Sequence, residues 1–141
     1  MEQPIHLLLV EDDDVEAEAL QRAFRTWPLP YTLTVARDGL EALAALKGNT
    51  HHPPLPQPHV ILLDLNLPRM SGLEFLRALR QDPELRPSVV FVWTTSTNQA
   101  DIQAAYEQVV AGYLVKSRVG ASPAKLLDLL QSYCQMVIFP T

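Results

Sequence analysis

The sequence predicts an α/β domain, a doubly wound sheet of five parallel strands with helices on both faces. Three observations lead there. Apolar runs of strand length alternate with helix-patterned stretches along the 141 residues, the pattern of repeated βα units with right-handed crossovers. Two of the runs, Leu7–Val10 and Val60–Leu63, are apolar throughout, as expected of strands covered on both faces. Both then stop abruptly in acid, Glu11-Asp12 after the first and Asp64 after the second.

The elements follow in order. His6–Val10 is the first strand, and the helix over Asp13–Trp27 carries Val15, Ala19, Leu20, Ala23 and Phe24 at helical spacing. Asp13 and Asp14 read as caps of that helix. Tyr31–Val35 is a short second strand. Asp38-Gly39-Leu40-Glu41 has capping-box spacing, and Leu40, Leu43, Ala44 and Leu46 form the apolar face behind it. Residues Gly48–Pro58 hold Pro53, Pro54, Pro56 and Pro58 and form an irregular surface loop, so His51 and His52 read as solvated rather than metal-bound.

The third strand starts at His59 and ends near Asp64, because Pro68 follows within four residues and cannot donate to a ladder. Ser71-Gly72-Leu73-Glu74 is a second capping box, opening a helix to about Gln81. Ser88–Trp93 is the fourth strand. Asn98 starts a helix that ends near Val110, and Gly112–Lys116 is the fifth strand. Ser122-Pro123 fits an N-cap with proline at the first helical position, and Leu126, Leu127, Leu129 and Leu130 line the last helix. Trp27 and Trp93 read as packing. A dinucleotide-binding fold would need a glycine-rich turn after the first strand. Glu11-Asp12-Asp13-Asp14 stands there instead, and it would repel a pyrophosphate.

Composition narrows the function. The formal charge is −5, which argues against a nucleic-acid footprint. No apolar stretch approaches the roughly 18 residues that span a bilayer, and the Met1-Glu2-Gln3-Pro4 start lacks a signal core. The single cysteine, Cys134, excludes an internal disulfide and fits a reducing compartment. These features point to a cytoplasmic protein.

The strand ends carry the chemistry. They present Glu11 and Asp12, then Asp64, then Thr94-Thr95-Ser96, then Lys116. Open parallel sheets do their chemistry at this edge. Clustered carboxylates need a cation, and oxygen donors with retained waters suit Mg²⁺. A phosphoryl group on Asp64 would find the metal, the Lys116 ammonium and the Thr94 hydroxyl as partners for its charge.

These motifs resemble the receiver domains of two-component response regulators. The resemblance covers about residues 5–136. It is carried by Leu8-Leu9-Val10-Glu11-Asp12, by Leu63 to Gly72, by Thr94-Thr95-Ser96 and by Gly112-Tyr113-Leu114-Val115-Lys116, with thirty residues from Asp64 to Thr94 and twenty-two from Thr94 to Lys116. It implies the flavodoxin-like (CheY-like) fold with strand order 2-1-3-4-5 and five helices. By the resemblance, Asp64 is the phosphoacceptor, and Glu11, Asp12, Asp64 and the Asn66 backbone carbonyl hold Mg²⁺, with Asp12 a direct ligand and Glu11 acting through water. Thr94 is the switch hydroxyl, Tyr113 the aromatic that reorients with it, and Lys116 the cation that pairs with the phosphoryl group.

The implied partners are a sensor histidine kinase and a downstream effector or phosphotransfer protein. The Val10-Glu11-Asp12 opening, the proline loop and the Phe139-Pro140 end resemble receivers that serve bacterial phytochromes. One departure is Ser117, which stands where the family usually places a cis proline after the lysine.

Residues 1–136 are expected to form the receiver and 137–141 an apolar tail, with no separate output domain. Such a chain is a signalling protein rather than an enzyme, limited to its own phosphorylation and dephosphorylation. The tail residues Val137-Ile138-Phe139 are expected to leave the last helix and lie as an arm on a second copy, making a homodimer with the last two helices and the fifth strand. The alternative is a Mg²⁺-dependent phosphotransferase or phosphatase with an aspartyl-phosphate intermediate, as in dehalogenase-like enzymes. Those place the nucleophile after the first strand with a second aspartate two residues on, where this chain has Asn66 after the third.

Overall fold

Strands of Val, Ile and Leu can be buried on two faces only if helices cover both, and this chain has the helices to do so. The computed structural model describes residues 4–57, 59–118 and 122–140. The strands are β1 (Ile5–Val10), β2 (Tyr31–Ala36), β3 (His59–Leu63), β4 (Val89–Thr94) and β5 (Gly112–Val115). The helices are α1 (Asp14–Phe24), α2 (Gly39–Lys47), α3 (Gly72–Gln81), α4 (Gln99–Glu107) and α5 (Ala124–Met136), with a 3-10 turn at Lys116–Arg118. The strands pair in parallel in the order β2-β1-β3-β4-β5, the order that the resemblance implies.

Alternation along the strands splits the core in two. Leu8, Val10, Ile61, Leu63, Val90 and Val92 face Phe75, Leu76 and Leu79 of α3. Leu7, Leu9, Val60, Leu62 and Phe91 face Leu20 and Phe24 of α1 and Leu126, Leu127 and Leu130 of α5.

The caps follow the sequence closely. Asp13 accepts from the N–H groups of Val15 and Glu16. Ser71 and Glu74 form a full capping box. At α2 the box is incomplete: Asp38 accepts from Glu41 N–H at 2.9 Å, but the Glu41 carboxylate returns to the N–H of Arg37. Ser122 accepts from Ala124 N–H, although α5 begins one residue later than its proline suggests.

Several ends differ from expectation by a residue or more, those of α1, α4 and β5 among them. α1 ends at Phe24 rather than Trp27, and Trp27 turns into the core edge-on to Phe24. α4 stops at Glu107 rather than near Val110, because Val109 adopts φ 60°. That conformation is rare for a β-branched residue. Arg80 holds it from α3, donating to the carbonyls of Gln108, Val109, Arg86 and Ser88. Lys116 begins the 3-10 turn after β5 instead of ending the strand.

The proline loop is irregular as expected, though Leu55 docks on the core and donates to Ala45 O. Its last residue, Pro58, lies outside the described residues, as do Val119 and Gly120 of the loop after Ser117. Val137 leaves α5 in an extended conformation. The tail then partly folds back: the Phe139 ring meets Tyr133 of its own chain edge-on at 6.1 Å. Met136 and Ile138 remain 81% and 96% exposed.

At the opposite end of the sheet from the acidic strand ends, His59 is buried with Nε2 2.9 Å from Ser88 Oγ. Burial holds its imidazole below the usual pKa. The unfolded chain takes up this proton near pH 6.5, the folded chain only at lower pH. Stability from a neutral His59 is therefore complete above that value and lost as pH falls below it. Urea unfolding at about pH 7.5 and about pH 5.5 should show a smaller acid loss in His59→Gln than in wild type. An equal loss in both would exclude His59 as the source.

Candidate functional site

Register brings the acidic strand ends together. Val10 pairs with Leu63 across β1 and β3, so the next residues, Glu11 and Asp64, lie side by side. The ladder continues one step past each strand, with Asp64 N–H donating to Val10 O and Glu11 N–H to Ala36 O. Thr94 pairs with Val115 across β4 and β5, which puts Lys116 at the same edge.

The side chains meet there. Thr94, fully buried, donates its hydroxyl to Asp64 Oδ1 at 3.0 Å. Lys116 Nζ donates to Asp64 Oδ2 at 3.1 Å, to Glu11 Oε1 at 2.8 Å and to Glu16 Oε2 at 2.7 Å. Asn66 N–H donates to Asp64 Oδ1. Tyr113 is half-buried on the neighbouring strand and donates its hydroxyl to Ser96 O at 3.0 Å. Ser96 in turn donates to Asp101 of α4.

The loop between β3 and α3 is fixed from both sides. Gly72 N–H donates to Leu65 O, and Gly39 N–H at the start of α2 donates to Met70 O. Arg69 sits at φ 59° and binds the buried Asp38 carboxylate through Nε at 2.6 Å. Asp64 is thus held by a turn with little freedom.

Charge at the site is strongly shaped by burial. Desolvation pushes the Glu11 carboxyl up to about 7, against the opposing pull of Lys116. Burial alone would depress Lys116, but its bonds to Glu11 and Glu16 more than reverse this and raise its pKa above the ordinary lysine value. Glu11, Glu16 and Asp64 each offer an oxygen, all within 4.8 Å of one another. Clustered carboxylates suit a hard divalent cation, and in this structure the Lys116 ammonium already donates to one oxygen of each of the three.

Every residue named from the sequence lies at this edge, though not in one contact set. Glu11, Asp64, Thr94 and Lys116 touch directly. Asp12 and Asn66 are exposed beside them, and Asp12 shares none of the side-chain bonds to Lys116. Tyr113 reaches the cluster through Ser96 rather than by contact. Sequence reasoning missed Glu16. Its spacing from Asp13 is that of a capping box, which assigns its carboxylate to the helix end. In the fold the Asp13 N–H goes to Glu11 Oε2 instead, and Glu16 reaches Lys116.

Five parallel strands in this order, closing on an aspartate flanked by a hydroxyl, a lysine and further carboxylates, define a phosphorylatable signalling domain. The response regulator receiver domain family matches residues 7–131, and the chain belongs to it. Its function is phosphorylation-dependent signalling in a two-component system. Response regulator Rcp1 of Synechocystis sp. is 38% identical over 130 residues, covering 92% of this chain and 88% of that protein. The Mn²⁺-bound structure of Rcp1 superposes with a TM-score of 0.82 at 35% identity, covering 98% of this chain and all of that one. The phosphorylated cyanobacterial phytochrome response regulator RcpA gives 0.83 at 30% identity, covering 99% of this chain and all of that one.

Proposed function

We propose that Asp64 accepts a phosphoryl group from a sensor histidine kinase and that the chain signals by phosphorylation-dependent binding to an effector or by passing the group on. The observation that carries this is the Asp64 carboxylate held between the Thr94 hydroxyl and the Lys116 ammonium. A carboxylate so placed is a nucleophile with charge partners already aimed at the phosphoryl oxygens it will acquire. Mg²⁺ at Glu11, Asp12, Asp64 and the Asn66 carbonyl would neutralise charge on the transferring group. The Mn²⁺-bound Rcp1 supports a divalent ion in this family, and the likeness to RcpA supports a phytochrome as the kinase.

Thr94 is the switch. Its hydroxyl passes from Asp64 to the phosphoryl, and the Tyr113–Ser96–Asp101 chain of hydrogen bonds carries the change to α4. The receiver unit is residues 1–136, and the chain acts as a cytoplasmic signalling protein rather than on an outside substrate. The exposed Met136 and Ile138, with Leu129 on α5 and Tyr106 on α4, support a homodimer through this side of the domain.

One set of measurements tests the reading. With acetyl phosphate and Mg²⁺, intact mass should show one phosphoryl adduct on wild type and Thr94→Ala and none on Asp64→Asn. Thr94→Ala should then lose the phosphorylation-dependent change in the amide spectrum of α4. Mg²⁺ alone should raise the melting temperature of wild type but not of Asp12→Ala. An adduct of full yield on Asp64→Asn would overturn the assignment. Light scattering should give a dimer that weakens on truncation at Gln135, and a full-length monomer would end that part of the proposal.

A further inference from the structure

Lysine has three N–H donors and no acceptor. In this structure all three have carboxylate partners, Glu11, Glu16 and Asp64. The Lys116 side chain is only 9% exposed, which leaves water little access to share the ammonium. A phosphoryl oxygen on Asp64 therefore has to compete for a cation that is already fully engaged.

The three partners are not equal. Glu11 is 1% exposed, so water cannot take the place of Lys116 for it. Asp64 is the group being modified, and as an acyl phosphate it no longer carries its own carboxylate charge. Glu16 makes the shortest contact, at 2.7 Å, yet its side chain is 42% exposed, so water can replace Lys116 for it. It stands in the first turn of α1, across from the 3-10 turn that starts at Lys116.

We propose that Glu16 is a positioning residue that opposes phosphorylation: it draws the Lys116 ammonium toward α1, away from the phosphoryl group. The inference rests on Asp64 being the acceptor. In the step concerned, an Asp64 oxygen attacks the phosphorus of the donor. The new O–P bond forms as the bond to the departing acetate oxygen breaks, and acetate leaves with that electron pair. The incoming group is an anion. Glu16 opposes it twice, by competing for Lys116 and by placing a like charge beside it. Both effects have the same sign, so removing the charge should favour the phosphorylated state.

The test uses the full chain with acetyl phosphate and saturating Mg²⁺, followed by intact mass against time for wild type, Glu16→Gln and Glu16→Asp. Glu16→Gln keeps the shape and loses the charge. Its phosphorylation rate should rise about fivefold, the factor that one half-exposed ion pair supplies, and its adduct should decay more slowly. Glu16→Asp keeps the charge and should stay near wild type. Without donor, the Lys116 Nζ resonance should shift in Glu16→Gln, and amide shifts should confirm that both proteins are saturated with Mg²⁺, so that the rates differ through Lys116 and not through metal occupancy. A rate that is unchanged or lower in Glu16→Gln overturns the proposal. A lower rate with weakened Mg²⁺ binding would make Glu16 a metal ligand instead. A wild type that takes no phosphoryl group would overturn the Asp64 assignment itself, which separates the two failures.

Discussion

Gly72→Ala should destabilise the protein by about 3 kcal/mol and lower its melting temperature by about 10 °C. The reason is steric. A Cβ at Gly72 would stand 2.4 Å from the Asp64 carbonyl oxygen and 2.6 Å from Leu65 Cα. Both are backbone atoms, so no side chain can swing aside to make room. Alanine is otherwise the better helix residue by about 1 kcal/mol, and the clash has to exceed that gain. Relief requires the turn between β3 and α3 to open, and this turn carries Asp64. The same variant should therefore accept phosphate poorly. Gly112→Ala is the control, because its Cβ would meet side chains and no backbone, the Phe91 ring at 3.3 Å and Leu114 Cδ2 at 4.0 Å, and should cost far less. Thermal unfolding of both variants checks the argument, and a Gly72→Ala protein as stable as wild type would refute it.

Lys116→Met should cost about 3 kcal/mol in metal-free protein above neutral pH. The substitution keeps the length of the stem but leaves Glu11 and Asp64, 1% and 9% exposed, without their cation. Two routes relieve the strain, and both are measurable. Mg²⁺ resupplies positive charge, so added metal should raise the melting temperature of the variant more than that of wild type. Protonation does the same: burial already pushes Glu11 up to about 7, and losing Lys116 removes the influence that opposes burial. The deficit should thus shrink as pH is lowered toward 6 and grow as it is raised toward 8. Full stability of Lys116→Met without metal, at the higher pH, would show that the carboxylates do not depend on this ammonium.

Asp64, Glu11, Thr94 and Lys116 were legible because each closes a short apolar run, and a charged or hydroxyl residue at the end of a buried strand has to be used or paired. Glu16 was not, since a glutamate three residues past an N-cap aspartate has an ordinary local explanation. Only the register of β1 against β3, and the reach of Lys116 across from β5, take its carboxylate away from the helix end. The end of α4 was misread for a related reason. Val109-Val110 continues an apolar pattern, and nothing nearby announces that Arg80, some thirty residues earlier, will cap the freed carbonyls.

The sequence by itself determined the order of strands and helices, the caps at Asp13, Asp38, Ser71 and Asn98, and the edge of the sheet where Glu11, Asp64, Thr94 and Lys116 gather, because periodicity and capping are local properties of the chain. The tertiary structure alone decided that Lys116 would be shared among three carboxylates, that Arg69 would lock the turn bearing Asp64 onto Asp38, and that Phe139 would return to Tyr133 while Ile138 stays in solvent. Each of these joins residues distant in sequence or depends on which face of an element is already covered. Such pairings become definite only when packing has fixed the distances between elements.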